Sequence, residues 1–226
     1  MENREDSVAK NARHRVDRTR ARAHYDRPTV HAILDAGMVA HVGFSVDGQP
    51  FVIPMMYARA GDALVLHGSV ASRLMGALGA GIDACVSVTH IDGLVLARSH
   101  FDHSMNYRSV VAFGRARLLC DPVAKADALQ SFVDAIVPGR AAESRAPDAT
   151  ELAATHVLHF AIEDASAKIR HGGVKGNVAD RTLPHWAGVI PLRLICGTVE
   201  PDATVADGSP LPDSVTAFLA AKGPLS

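Results

Sequence analysis

From residue 28 onward the chain alternates between short apolar runs of period two and a few stretches of helical period. Pro28 at a first helical position, then Val30, Ile33 and Leu34, and Gly37 as a stop, predict a short amphipathic helix. Strand-like runs follow over 38–46 and 51–59, joined by Asp47-Gly48, a strong hairpin signal. Gly61-Asp62 leads into a third strand over 63–67, which completes a meander. A short helix is predicted over 70–78, strands over 82–89 and 94–98 around a turn at Asp92-Gly93, and a longer strand over 107–120.

The spacing of Val123, Ala126, Leu129, Phe132, Val133 and Ile136 predicts a helix from Pro122 to Val137, with Asp121 as its N-cap. A loop over 138–147, a short helix from Asp148 and late strands over 156–162 and 188–196 complete the pattern. A mainly antiparallel chain with helices inserted between strands loses its bare edges by closing on itself. The expected fold is mainly β, a barrel with peripheral helices, formed by 28–226 as one domain.

Composition adds a core and removes some partners. The 226 residues are 48% hydrophobic and 21% charged, which suffices for a packed interior. A net charge of −1 gives no global field toward nucleic acid or an anionic membrane, so an anionic ligand must be met by a local patch. Residues 1–27 differ, with eight Lys or Arg against five Asp or Glu and few aliphatic anchors, and are expected to form a flexible charged arm. The arm lacks aromatics in a nucleic-acid-reading pattern, which favours a solvated or dimer-wrapping tail. Its lack of an apolar stretch, and the absence of any 18-residue apolar run, point to a cytoplasmic chain with no membrane partner. Cys85, Cys120 and Cys196 lie far apart in apolar runs and are expected to be buried, unpaired thiols.

Three segments carry candidate chemistry. In Leu66-His67-Gly68-Ser69-Val70-Ala71-Ser72-Arg73 a strand gives way to a helix, where Gly68 allows close approach and Ser69, Ser72 and Arg73 offer donors to a phosphate. The same small polar residues also cap helices for structural reasons. In Ser104-Met105-Asn106-Tyr107-Arg108-Ser109-Val110-Val111 a polar loop feeds an apolar strand, so that polar residues can face a ligand while valines face the core. Tyr107 can serve either side. The third segment joins Ser166-Ala167-Lys168-Ile169-Arg170 to Trp186, the sole tryptophan, which suits a flavin ring or core packing. His90, His100 and His103 with Asp102 offer metal-binding atoms in no recognised ligand spacing, and no metal is expected. Neither a Gly-x-Ser-x-Gly elbow nor a Gly-x-Gly-x-x-Gly turn occurs, which argues against a serine hydrolase and a Rossmann site.

The run Asp47-Gly48-Gln49-Pro50-Phe51-Val52-Ile53-Pro54-Met55-Met56-Tyr57, then His67-Gly68, Asp92-Gly93-Leu94-Val95-Leu96-Ala97-Arg98-Ser99, Asn106-Tyr107-Arg108-Ser109, Lys168-Ile169-Arg170 and Trp186-Ala187-Gly188-Val189-Ile190-Pro191, resembles the pyridoxamine 5′-phosphate oxidase-like family. The likeness is to its flavin-nucleotide-binding and nitroimidazole-resistance branch, over about residues 18–200. It implies a six-stranded antiparallel split barrel that dimerises with itself and holds FMN at the subunit interface, FAD or haem being the alternative cofactors. Carried onto this chain, Val52, Ile53, Pro54 and Met55 border the flavin ring, with His67 and Gly68 beside the site. Ser72 and Arg73 meet the phosphate, Tyr107, Arg108 and Ser109 line the cleft, and the partner subunit's Trp186 closes it. His67 is the candidate catalytic group. The resemblance implies an oxidoreductase that reduces a small-molecule substrate of nitro-aromatic type, with a non-catalytic flavin or haem carrier or sensor as the alternative. Gly172-Gly173-Val174-Lys175-Gly176-Asn177 departs from the acidic loop of the family, and only Arg193 follows Trp186 where the oxidase ends Arg-rich. Oxidation of pyridoxamine phosphate is therefore not expected.

Overall fold

The computed structural model describes residues 13–206 and 208–222. After a short strand β1 (Ala23–His24), Asp26 caps helix α1 (Arg27–Asp35) by accepting from the Thr29 N–H at 2.9 Å. β2 (Val39–Val46) and β3 (Gln49–Met56) form the predicted hairpin; Asp47 and Gly48 both take positive φ, 51° and 78°, as its two-residue turn requires. β4 (Ala58–Ala60), β5 (Ala63–Ser69), α2 (Arg73–Gly79), β6 (Asp83–Leu96), β7 (Ser104–Leu118) and α3 (Pro122–Ile136) follow. The chain continues through α4 (Ala149–Ala154), β8 (Thr155–Ala161), β9 (Asp164–Arg170), β10 (Gly188–Pro191) and α5 (Asp213–Lys222).

The sheet runs in the order β3-β2-β6-β7-β8-β5-β4, and every pairing is antiparallel. Its two ends are neighbours in the chain, because β3 passes through Tyr57 directly into β4. One bent strand therefore closes the ring and gives it six walls. The expected six-stranded barrel is extended, since β1, β9 and β10 bring the sheet to ten strands. β7 is shared between β9 over Tyr107 to Phe113 and β8 over Ala116 to Leu118. Gly114 marks the change, and a Cβ there would lie 1.9 Å from the Ala161 carbonyl oxygen.

Alternation puts Val42, Phe44, Leu64, Leu66, Val86, Val88, Val110, Leu158 and Phe160 inside, where they meet Val30, Ile33 and Leu34 of α1 and Leu74, Met75 and Leu78 of α2. α3 covers another wall with Phe132, against Ala58, Val65 and Val157.

Several boundaries differ from expectation. The helix over 70–78 starts at Arg73, since Ser72 is its cap. The two strands around Asp92-Gly93 are one strand with a bulge, anchored from β7 by a two-pronged Arg108–Asp92 ion pair. The strand over 188–196 ends at Pro191, and β9 and α5 were not anticipated as elements. The thiols expected to be buried are not: Cys120 and Cys196 lie past the ends of β7 and β10, and Cys120 is exposed while Cys85 and Cys196 are half-buried. From Arg13 onward the expected flexible arm is docked on the barrel, with 1–12 outside the described residues. Arg13 pairs with Asp164 at 2.5 Å, His14 is buried, and β1 adds to β9.

Candidate functional site

Residues directly opposite in adjacent strands share a face. Met56 of β3 stands opposite Val39 of β2, and Val52 opposite Gly43, which in turn faces Cys85 of β6. Thr89 and Ile91 of β6 meet Ser109 and Tyr107 of β7, and these meet Lys168 and Arg170 of β9. By strand alternation all of these residues belong to the face of the barrel wall turned away from the core. The face is apolar at one end, where Val52 is 67% exposed and Ile91 51%, and polar and basic at the other. Apolar surface of this kind, rimmed by polar groups, marks a binding surface.

The structure sorts the predicted residues by this alternation. Val52 and Pro54 lie on the outer face, while Ile53 and Met55 turn inward and pack on the core. Tyr107 and Ser109 are on the outer face, half-buried, and Arg108 between them points the other way. The Arg108 guanidinium is occupied by Asp92 at 2.8–3.2 Å, and that carboxylate raises its pKa. The Ser72 hydroxyl caps α2 by accepting from the Met75 N–H at 3.4 Å. Arg73 is exposed, its guanidinium carbon 5.1 Å above the Phe51 ring, with no ion-pair partner among the described residues. Trp186 is 67% exposed and lies across Gly188 at the start of β10.

His67 and Gly68 belong to β5, outside the row of strands that carries this face. The His67 ring stands edge-on to Phe132 at 4.4 Å, its Nδ1 buried without a hydrogen-bond partner, and burial pushes its pKa down. Gly68 packs against Met75. The histidines considered for metal are apart in role. His90 Nε2 lies 3.0 Å from the Ile33 carbonyl, and no metal-binding group of side chains occurs among the described residues.

A cavity of about 350 Å³ opens where β9 ends, lined by Arg18, Arg22, Lys168, Arg170, Lys175, Phe101, Asp102 and His103 among others. Lys168 and Arg170 are conspicuous in the sequence, but only the β7–β9 register shows that they share a face with Ser109 and Tyr107. Arg18, Arg22 and Lys175 carry no local signal beyond their charge.

The pyridoxamine 5′-phosphate oxidase family model matches residues 26–169, most of the chain. The chain belongs to this family. Among solved structures, it is similar to the flavocytochrome Anf3 from Azotobacter vinelandii, at 42% identity and TM-score 0.85, over 92% of this chain and 96% of that one. It is also similar to the FAD and haem binding protein from Mycobacterium smegmatis, at 39% identity and TM-score 0.83, over 87% and 96%. A protein assigned to 5-nitroimidazole antibiotic resistance from Bacteroides thetaiotaomicron shares the fold, at 18% identity and TM-score 0.54, over 65% and 86%. No curated protein matches the chain. Among the described residues no helix is long and apolar enough to cross a membrane.

Proposed function

We propose that this member of the family is a flavoprotein, and that the outer face of β3, β2, β6, β7 and β9 holds the flavin against a second copy of the chain. The observation that carries this reading is that face itself. Exposed Val52, Val39, Met56 and Ile91 can cover a planar ring, half-buried Tyr107 and Ser109 can hydrogen-bond its polar edge, and the unpaired Arg73 can meet a phosphate. A bound flavin accepts electrons in pairs or singly, and the protein's part is to position it and exclude water. Tyr107 and Ser109 fix the ring's orientation; the apolar strand residues shield it.

A second copy is supported by the surface this chain leaves bare. Leu194 is 81% exposed, Ile195 56% and Trp186 67%, all in an extended C-terminal segment that a partner subunit can bury. The reading is of a homodimer with its cofactors at the interface, working in the cytoplasm, where Cys85, Cys120 and Cys196 stay free. Its activity is the transfer of electrons through flavin to a small oxidant, nitro-aromatic compounds being the class to assay.

Haem as a further cofactor is the second reading. It is supported by two similar structures, each matched over nearly its whole length, one a flavocytochrome and the other a protein that binds FAD and haem. An absorbance spectrum of the purified protein, with mass identification of the released chromophore, tests both. Flavin bands confirm the first reading, an added Soret band the second. If neither forms after incubation with FMN, FAD and haemin, the proposal is wrong. Reduction by NADH or NADPH and reoxidation by a nitro compound no faster than for free flavin would remove the reductase activity.

A further inference from the structure

The end of β9 concentrates positive charge that the flavin face does not use. Arg18 and Arg22 of the docked N-terminal segment, Lys168 and Arg170 of β9, and Lys175 of the following loop line one cavity, whose wall has a single carboxylate, Asp102. Among the described residues none of these five cations forms an ion pair, whereas nine other arginines do, Arg13, Arg59 and Arg108 among them. In a chain of net charge −1, this local excess is a departure from the general pairing.

Arg170 sharpens the point, being only 6% exposed. Its guanidinium donates to the Asn106 side-chain carbonyl and to the Gly173 carbonyl at 3.3 Å, both neutral acceptors. A buried cation held by neutral groups alone bears a desolvation cost that an opposite charge would offset. The adjoining cavity shares Asp102 and Lys175, and there Arg98 Nε is buried with no hydrogen-bond partner.

Position separates this basin from Arg73. Phe51, under Arg73, is on β3, and β9 lies four strand spacings away, roughly 19 Å along the curved sheet. One phosphate cannot touch both within one chain. The basin is nonetheless continuous with the cofactor face, since Lys168 and Arg170 stand opposite Ser109 and Tyr107. It also carries flanks for a flat ligand. Phe101 is 93% exposed, and His103 directs Nδ1 to the Ser99 carbonyl at 2.8 Å. A carbonyl only accepts, so Nδ1 carries the hydrogen of this contact.

We infer that this basin is a second anion site, apart from the flavin phosphate assigned to Arg73, and that it holds the two propionates of haem. The chemistry is that of two neighbouring carboxylates, whose oxygens suit guanidinium forks and ammonium donors. The inference rests on the cofactor reading above and names which end of the cofactor this chain grips.

The test is the double variant Arg22→Gln/Lys175→Gln, which spares the buried Arg170. FAD and FMN are titrated by flavin fluorescence, and haemin and its dimethyl ester by the Soret band, against wild type and variant. The expected result is a loss of roughly 10- to 100-fold for haemin, with its dimethyl ester and both flavins unchanged. A loss for FAD in place of haemin would set the flavin's diphosphate here and not at Arg73, and overturns the inference. Unchanged affinities for all four, or equal losses for haemin and its dimethyl ester, overturn it as well. Inorganic pyrophosphate, titrated calorimetrically into both proteins, separates the two levels. If wild type takes no cofactor yet binds pyrophosphate and the variant does not, the cofactor reading fails and the anion site stands; if it binds neither, both fall.

Discussion

Arg73→Ala separates a role in the fold from a role in binding. Within the fold the guanidinium is exposed and rests on Phe51 at 5.1 Å, a contact worth about 0.5–1 kcal/mol at an exposed site. No carboxylate claims it among the described residues, so its removal strands no buried partner. The expected cost in stability is a fall in Tm of about 2–4 °C at most for a chain of this size. The effect on a flavin phosphate is larger. One charge-assisted hydrogen bond contributes about 1.5–3 kcal/mol, which weakens binding by about 10- to 100-fold. Riboflavin has the same ring and no phosphate, and provides the internal control. Titrating FMN and riboflavin into wild type and variant, followed by flavin fluorescence, should show a loss for FMN alone. Unchanged FMN affinity would show that Arg73 meets no phosphate. An equal loss for riboflavin would show that the side chain shapes the cleft and carries no phosphate-specific role.

Three other perturbations test the fold and its titrating groups. Gly114→Ala places a Cβ against the Ala161 carbonyl, backbone on backbone, and should abolish cooperative thermal unfolding followed by circular dichroism; a Tm within a few degrees of wild type would show that the β8–β9 turn can move. Phe132→Ala empties the centre of the second core and exposes His67, with an expected loss of about 3–5 kcal/mol in urea unfolding. Burial lowers the pKa values of His14, His67 and His159, so below the unfolded value of 6.5 the unfolded chain binds more protons than the folded one, and stability falls as pH drops through that range. A urea midpoint that stays level from pH 7.5 to 5.5 would contradict this, and a His67→Leu variant that folds should have a shallower slope.

The elements that announce themselves locally were legible. The Asp47-Gly48 hairpin, the α3 periodicity and the short helix at Asp148 depend on neighbours in sequence, and each forms where its residues predict. What was not legible depends on distant partners. Asp92-Gly93 reads as a turn, but cross-strand pairing on both sides and the grip of Arg108 keep β6 continuous through a bulge. The charged N-terminal segment reads as free because its anchors, Asp164 and the edge of β9, lie more than a hundred residues away.

For the site, two-residue alternation decides what a motif can do. Val52, Pro54, Tyr107 and Ser109 lie on one face, so quoting Val52 to Met55 or Tyr107 to Ser109 as blocks mixes residues from both sides of a wall. Arg108 shows the consequence, since the charge that most invites a ligand in its motif is already spent on Asp92. Lys168 and Arg170 show the converse: the sequence displays their charge but not their partners, and only the folded chain joins them to Arg18 and Arg22 from its far end. Charge becomes informative only once pairing is known. An arginine matched to a carboxylate stabilises the fold, whereas one buried among neutral acceptors points to an anion the chain does not itself supply.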